Sequence, residues 1–283
     1  MKTAEHCSEA EGNKLRLRAT MFSMKKLLVL LAATLLAWSL TKPALARPLL
    51  VAAASDLGYC IDELVGAYRK TAPDAELKVS LGASGNFFAQ IRNGAPFGVF
   101  LSADMDYPRQ LGKLGAADGA TLTPYAIGRI ALWTLDPQID PARGLASLAG
   151  DARIKRVAIA NPVTAPYGRA ARAALERDGL WQALQPKLVV GENIAQTAQF
   201  VQTGNAQIGI VSFATLRSTK LAGVGRYALV PHDSLPPIEQ GAIVTRAGAG
   251  NPHAAGFVRF LGSPEARAIL ARNGFELPPG PAR

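Results

Sequence analysis

The stretch Leu49-Leu-Val-Ala-Ala-Ala-Ser55-Asp56-Leu57-Gly58 leads an apolar strand directly into a helix. Apolar residues then recur at spacings of four, three and four, which predicts one buried helix face. They are Leu57, Ile61, Leu64 and Tyr68. Ser55 falls at the predicted N-cap, where its hydroxyl can accept from backbone N–H groups. Because the first turn of a helix carries unpaired N–H donors and a partial positive charge, this stretch is a candidate anion site.

Residues 1–46 are predicted to be a secretory signal that is removed. Met24-Lys25-Lys26 supplies a basic region, Leu27–Leu40 an apolar run of fourteen residues, and Ala44-Leu45-Ala46 a small-residue cleavage pattern. The apolar run is too short to predict a membrane span. We therefore expect secretion with a mature N-terminus at Arg47, and the pattern leaves the translation start open between Met1 and Met24.

The charge of the chain is moderately basic. The whole sequence carries a net charge of +10 from 31 Lys and Arg and 21 Asp and Glu. Residues 1–46 hold seven of the basic and three of the acidic residues, so the mature chain keeps 24 and 18, a net charge of +6. This charge attracts small anions over long range. The absence of a dense Lys/Arg cluster argues against a nucleic-acid surface.

Few cysteines and histidines are available for metal or redox chemistry. Cys7 should leave with the signal, and Cys60, beside the apolar helix face, is predicted to be a buried thiol. His232 and His253 lie in proline-flanked contexts and are predicted to be at the surface. No metal-ligand spacing is present, so no metal cation site is expected.

Strand-like apolar runs alternate with helical periodicity along the mature chain. This pattern predicts an α/β fold whose sheets are mostly parallel and flanked by helices. After the apolar run Ile130–Trp133 the pattern starts again, which favours two lobes with a cleft between them. We place candidate hinges near Tyr125–Gly128 and Val230–Pro237. The predicted first lobe comprises residues 47–126 plus 233–283, and the second comprises residues 127–232.

Four strand-to-helix junctions share one unusual property: each supplies N–H groups at a helix start, and none places Lys, Arg or His at its turn. They are Ser55-Asp56, Ala83–Asn86, Ala165–Gly168 and Glu192–Ile194. In open α/β sheets, ligands bind beyond the carboxyl ends of the strands. Donors of this kind can hold a small dehydrated anion without a counter-charge. Any single junction is better explained by an ordinary helix cap, whereas four of them favour a shared ligand. Gly82 and Gly85 permit close backbone approach.

Several short motifs, taken in order, resemble the molybdate-binding proteins of ABC importers. They are Val51–Ser55, Gly82–Asn86, Ala89–Ile91, Asn93–Pro96, Phe100–Asp104, Tyr125–Gly128, Asn161-Pro162, Ala165–Gly168 and Gly209–Val211. They span essentially the whole mature chain in the order and spacing of that family.

The resemblance implies a two-lobed periplasmic binding protein with two crossovers between the lobes and a central cleft. By position, Ser55 and Ser84 would bind the oxyanion from the first lobe, and Tyr167 and Ile194 from the second, Ile194 through its amide. The implied ligand is molybdate, and tungstate with it, for delivery to the permease of an ABC importer. No catalysis and no cofactor are implied, and we expect a monomer.

Two positions depart from the family pattern. Some members carry a tyrosine ligand after the Gly-Ile-Val strand, where this chain has Ser212, so the contribution of Ser212 stays open. Asp56 lies beside the proposed site, and its carboxylate would repel a dianion unless it points away.

Other functions remain open at this point. The ligand could be another tetrahedral oxyanion such as sulfate. A secreted hydrolase could use Ser84 as a nucleophile, but it would need a base such as His232 or His253. A ligand-sensing lobe pair of a transcription regulator fits poorly with a signal peptide and no helix-turn-helix.

Overall fold

The structure is a computed structural model that describes residues 47–231 and 235–279, within one compact unit. The predicted signal of residues 1–46 lies outside the described residues, as does His232. No helix within the described ranges is both long enough and apolar enough to cross a membrane.

The described part of the chain contains ten β-strands in two separate sheets. They are β1 (Leu49–Ala54), β2 (Leu77–Gly82), β3 (Val99–Ser102), β4 (Ala117–Gly128), β5 (Ile130–Thr134), β6 (Val157–Ala160), β7 (Leu188–Gly191), β8 (Ile208–Ser212), β9 (Arg226–Leu229) and β10 (Ile238–Thr245).

Helices connect these strands and flank both sheets. The α-helices are α1 (Ile61–Thr71), α2 (Ser84–Arg92), α3 (Asp106–Lys113), α4 (Ser147–Gly150), α5 (Pro166–Arg177), α6 (Trp181–Leu184), α7 (Ile194–Gln202), α8 (Phe213–Arg217), α9 (Ala254–Phe260) and α10 (Pro264–Arg272). Short 3-10 helices span Ser55–Tyr59, Pro141–Arg143, Gln185–Lys187 and Arg246–Gly248.

The two sheets have related topologies. The first has the order β2-β1-β3-β10-β4, and the second has the order β7-β6-β8-β5-β9. In each sheet four strands run in one direction and a single strand, β10 or β5, runs in the other. The predicted two-lobed α/β fold with mostly parallel sheets is confirmed.

The chain passes between the sheets twice. The first passage consists of the single residue Arg129 between β4 and β5, and the second is the segment between β9 and β10. Strands of the first sheet therefore come from residues 49–128 and 238–245, and those of the second from 130–229. The lobe limits near residues 126 and 233 stay a prediction.

Strand β1 shows why its sequence is a continuous apolar run. Val51 and Ala53 point into a core that includes Phe257, while Ala52 points into a second core with Phe87 on the opposite face. Because both faces of β1 are buried, polar residues are excluded from either side, as in central parallel strands. The carboxyl end of β1 is thereby held firmly where Ser55 begins.

The segment after β1 differs from the prediction in one respect. The four apolar residues predicted to share a helix face are all buried, but Ser55 is not the N-cap of that helix. A 3-10 turn, Ser55–Tyr59, comes first, and α1 begins only at Ile61. Ala54 precedes the turn and Ser55 makes no capping bond within it, because its hydroxyl is engaged by the second lobe.

Two further side-chain predictions have opposite outcomes. Cys60 is buried, as expected. His253 was expected at the surface, and this is wrong, since only 9 % of the residue is exposed. Its backbone carbonyl accepts from the Tyr68 hydroxyl at 3.3 Å, and its ring lies 3.5 Å from Asp74. Packing against α1 is the physical reason for this burial.

Candidate functional site

The four predicted anion-binding residues, Ser55, Ser84, Tyr167 and Ile194, line one small cavity between the two sheets. The other lining residues are Ala54, Asp56, Gly82, Ala83, Ala103, Ala165, Pro166 and Asn193. None of the four predicted residues is more than 5 % exposed. The cavity volume is about 10 Å³, room for the centre of one small molecule. The lobes are therefore closed over this cavity.

The cavity lies where pairs of parallel strands end. Ser55 follows β1 and Ser84 follows its neighbour β2, whereas Tyr167 and Ile194 follow the paired strands β6 and β7. The carboxyl ends of parallel strands meet at one edge of a sheet, which is where α/β folds bind ligands. Each lobe thus contributes two adjacent strand-to-helix junctions to the cavity.

Three backbone amides of buried residues at these junctions have no partner among the described residues. Ser84 is the first residue of α2, Tyr167 the second of α5 and Ile194 the first of α7. Within residues 47–231 and 235–279, no acceptor forms a hydrogen bond with the amide of Ser84, Tyr167 or Ile194. Such N-terminal amides carry the positive end of the helix dipole. They make an anion-binding environment without a cationic side chain.

Both serine hydroxyls are oriented by backbone amides of other segments. The Ser84 Oγ accepts from the Ala103 amide at 3.0 Å. The Ser55 Oγ accepts from the Ala195 amide of the second lobe at 3.4 Å. Because each oxygen already accepts an N–H, its own proton is available for donation. Neither serine caps its own helix, so the ordinary-cap explanation does not hold for them.

The cap of α7 is instead made by Asn193. Its Oδ1 accepts from the amides of Ala195 and Gln196, both at 3.1 Å. Those two amides are thereby occupied, and Ile194 keeps the free N–H of this turn. Asn193 and Ala103 were not predicted as site residues. An Asn just before a helix start is a recognisable N-cap signal, whereas no motif in the sequence identifies Ala103.

Gly85 has a different use from the one predicted. Its amide donates to the Thr164 carbonyl of the second lobe at 2.8 Å. A Cβ at Gly85 would lie 2.7 Å from both that oxygen and the Tyr107 hydroxyl. The close approach that glycine permits here is between the two lobes.

Polar and charged side chains a few residues along the chain from the cavity-lining residues link the two lobes, and we call them the cleft rim. They are Asn86, Asp104, Tyr107, Arg169 and Glu192. The Asn86 Nδ2 donates to the Glu192 Oε1 at 3.0 Å across the lobes. Arg169 pairs with the Asp104 carboxylate, and its Nη1 donates to the Tyr107 hydroxyl at 3.1 Å. The rim therefore contains the cation nearest in sequence to the junctions, already paired with an acid.

The Tyr167 hydroxyl contacts strand β10, which follows the second passage of the chain between the sheets. It accepts from the Gln240 Nε2 of β10 at 3.2 Å. Burial, and then the negative charge of Asp56, raise the pKa of Tyr167 well above its ordinary value. The phenol therefore stays protonated. A methyl group at Gly128 would overlap this hydroxyl, so the hinge glycine leaves it room.

Asp56 lines the cavity and is 1 % exposed. Its Oδ2 accepts from the Gln240 Nε2 at 2.6 Å. Burial raises the pKa of Asp56 to about 6, partly offset by hydrogen bonds. Sequence reasoning marked this acid as a difficulty but missed Gln240, which no motif identifies. Ser212 is fully buried at the end of β8 and is not among the cavity-lining residues.

The described residues give little support to metal binding or to serine hydrolysis. Across 47–231 and 235–279, no group of three or more His, Cys, Asp or Glu could hold a metal ion. The cavity-lining residues include no histidine, and His253 lies beside Asp74. Ser84 therefore has no described imidazole beside it to act as a base.

Residues 49–276 match the family model of the bacterial extracellular solute-binding proteins. The chain belongs to this family. Two lobes with a small buried cavity between them are the arrangement that a solute-binding protein requires.

Similarity to individual relatives extends over nearly the whole chain. The molybdate-binding protein ModA of Azotobacter vinelandii is 39 % identical over 259 residues, covering 90 % of this chain and 99 % of the relative. ModA of Rhodobacter capsulatus is 35 % identical over 240 residues, covering 85 % and 92 %. The resemblance to the molybdate-binding proteins of ABC importers is confirmed.

Solved structures agree with this solute-binding fold. The periplasmic molybdate-binding protein of Azotobacter vinelandii superposes with a TM-score of 0.75 at 31 % identity, covering 81 % of this chain and 99 % of that chain. The sulfate-binding protein SubI of Mycobacterium tuberculosis gives a TM-score of 0.63 at 16 % identity, covering 81 % and 86 %. At that identity the second likeness concerns the fold alone.

Proposed function

We propose that this protein captures molybdate between its lobes in the periplasm and delivers it to the membrane permease of an ABC importer. The observation that carries the proposal is the set of three free buried amides beside two hydroxyls in one cavity. The cavity-lining residues include no Lys, Arg or His. The relatives named as molybdate-binding proteins support the choice of oxyanion.

The binding energy in this proposal comes from charge-assisted hydrogen bonds. Each is worth about 1.5–3 kcal/mol when one partner is charged. The Ser84, Tyr167 and Ile194 amides are fixed by their helices and need little reorganisation on binding. In a buried site such dipoles act in a low dielectric, which strengthens each contact.

Selectivity follows from the rigidity of the donors. Tungstate shares the charge and shape of molybdate, so we propose that it binds as well. Sulfate has the same charge but shorter bonds to oxygen, so fixed donors spaced for molybdate reach it poorly. We propose no catalytic role and no cofactor. We also propose that the protein is secreted, that its mature chain starts at Arg47 and that it is a monomer.

Calorimetric titration of the mature protein tests the proposal. Molybdate and tungstate should each bind with one-to-one stoichiometry, and sulfate and phosphate should bind much more weakly under the same conditions. No heat with molybdate, together with clear binding of sulfate or phosphate, would overturn the choice of ligand. Sedimentation of the same sample checks the monomeric state.

A further inference from the structure

The feature that anion binding leaves unexplained is the buried carboxyl group of a residue that lines the cavity. Asp56 directly follows Ser55 and lines the same space as Ser84, Tyr167 and Ile194. A carboxylate and a bound dianion in one small cavity repel each other, and burial strengthens the repulsion because water cannot screen it. The site must therefore neutralise this charge, because otherwise the charge weakens anion binding.

The surroundings of Asp56 supply no positive charge. Its Oδ2 accepts from the neutral Gln240 amide at 2.6 Å, and its buried Oδ1 makes no hydrogen bond of ordinary geometry with the described residues. The Tyr167 hydroxyl and the backbone amides of Asp56 and Leu57 also favour the charged form, but burial outweighs them in the pKa of Asp56. Gln240 is oriented by the Tyr125 hydroxyl, which lies 2.8 Å from its Oε1. That contact leaves the Nε2 to serve both Asp56 and Tyr167. The carboxyl is thus held in place by dipoles and not neutralised.

The ionisable groups on neighbouring elements do not compensate either. They are Cys60 before α1, Asp104 after β3, Tyr125 on β4 and Tyr167 on α5. The buried polar side chains of the adjoining β8 and α8 are Ser212 and Thr215, which carry hydroxyls, while Arg217 lies in the last turn of α8 and is exposed. Nearby arginines are paired with other acids: Arg169 with Asp104, Arg129 with Glu276 and Arg272 with Glu63.

We propose that Asp56 takes up one proton from solvent when the oxyanion binds, so that the cavity admits a dianion only together with H⁺. This rests on the proposed function. The balanced step is a carboxylate, a proton and a dianion giving a neutral carboxylic acid beside the bound dianion. The unpartnered Oδ1 then becomes able to carry an O–H donor. Asp56 is a specificity-determining residue in this scheme, because it couples anion binding to pH.

Burial makes the uptake easy near neutral pH. The pKa of Asp56 is already raised to about 6 by desolvation, and a dianion nearby raises it further. Cys60, Tyr125 and Tyr167 have pKa values raised by burial and by the charge of Asp56, so they stay protonated throughout. Burial also raises the pKa of Asp104, but Asp104 is paired with Arg169. Asp56, which has no cationic partner, is therefore the group in this cluster positioned to change charge on binding.

Calorimetry of the mature protein with molybdate, in buffers of different ionisation enthalpy, counts the protons. Between pH 7 and 8 we expect close to one proton taken up and a dissociation constant that rises up to about tenfold per pH unit. Asp56→Asn keeps the acceptor for Gln240 and should abolish the uptake. Its affinity should no longer change over this pH range. Asp104→Asn, the other buried carboxyl near the cleft, is the matched control and should leave the uptake in place.

The outcomes separate this proposal from the proposed function. Tight molybdate binding with an uptake below about 0.2 proton from pH 6.5 to 8 overturns the role of Asp56 and leaves molybdate binding intact. Uptake that persists in Asp56→Asn assigns the proton to another group and also overturns it. No molybdate binding at any pH ends both proposals. If Asp56→Asn does not fold, the buffer series on the unaltered protein decides.

Discussion

The wall of the cavity and the cleft rim both include residues from the two lobes, but they present different kinds of chemical group. The wall presents amides and hydroxyls, with Asp56 as its one charged side chain. The rim joins the lobes through a charged pair, Arg169 with Asp104, and through Asn86 with Glu192. Asp104 at the rim has a cationic partner across the lobes, whereas Asp56 in the wall has none and shares the Gln240 amide with Tyr167.

This difference follows from what each region has to contact. At the rim the partner is the other lobe, so opposite charges can be supplied by the protein itself. In the wall the partner is an anion, and a fixed cation there would hold anions of many shapes without reading their geometry. Neutral dipoles favour one geometry, since each donor has a single direction. Under the proposed function, the wall decides which ligand binds and the rim assists closure.

The largest effect is expected from removing the one charge of the wall. The unaltered ligand-free protein should lose about 3 kcal/mol in its free energy of unfolding, relative to Asp56→Asn, as the pH rises from 3 to 8. The folded pKa of about 6 lies above the ordinary 3.8. Stability from the protonated carboxyl is thus full below pH 3.8 and lost as the pH rises through 6. Urea unfolding at both pH values measures this.

Asp62→Asn, which removes an exposed carboxyl from α1, is the control for that measurement. Equal pH dependence in the two variants would show that the wall carboxyl is no different from a surface acid.

Ser84→Ala tests the hydroxyl donors of the wall. We expect molybdate affinity to fall by about 1.5–3 kcal/mol, or 10- to 150-fold, because a hydrogen bond to a charged ligand is lost. The Ala103 amide also loses its acceptor. Titration calorimetry measures the change. Ser80 is an exposed serine on β2, and its variant Ser80→Ala should bind molybdate as before. An unchanged affinity in Ser84→Ala would show that the Ser84 hydroxyl does not contact the anion.

Ile194→Pro tests a backbone donor directly. Ile194 is the first residue of α7, where proline is tolerated, and Asn193 before it is extended with φ of −145° and ψ of 175°. The substitution therefore removes the N–H while allowing the helix to form. We expect a loss of about 2 kcal/mol in molybdate affinity. Ile194→Val keeps the amide and should bind normally, and equal affinities for the two would contradict the amide contact.

The smallest effect is expected at the rim. Glu192→Gln removes a charge but keeps the oxygen that accepts from Asn86. Because Glu192 is exposed, molybdate affinity should change by less than about 0.5 kcal/mol. Titration at low and at moderate salt checks this. A loss as large as that of Ser84→Ala would erase the distinction between rim and wall.

The sequence by itself determined the secondary-structure elements and the positions of the candidate donors. Apolar periodicity located β1 and the buried face of α1, and the strand-to-helix junctions marked Ser84, Tyr167 and Ile194. These features are local, since a helix start depends on residues within one turn of it. The length of β4 was missed because most of its residues are not buried and show no apolar alternation.

The tertiary structure alone decided which groups those donors meet. The Ser55 hydroxyl, expected to cap its own helix, accepts an amide 140 residues away. Asp56 meets Gln240 at a separation of 184 residues. Gly85 serves contact between the lobes at Thr164. Such partners depend on how two passages of the chain between the sheets bring distant segments together, and no local pattern encodes that distance. The strand-to-helix junctions could be found in the sequence, but the setting of the acid among them required the fold.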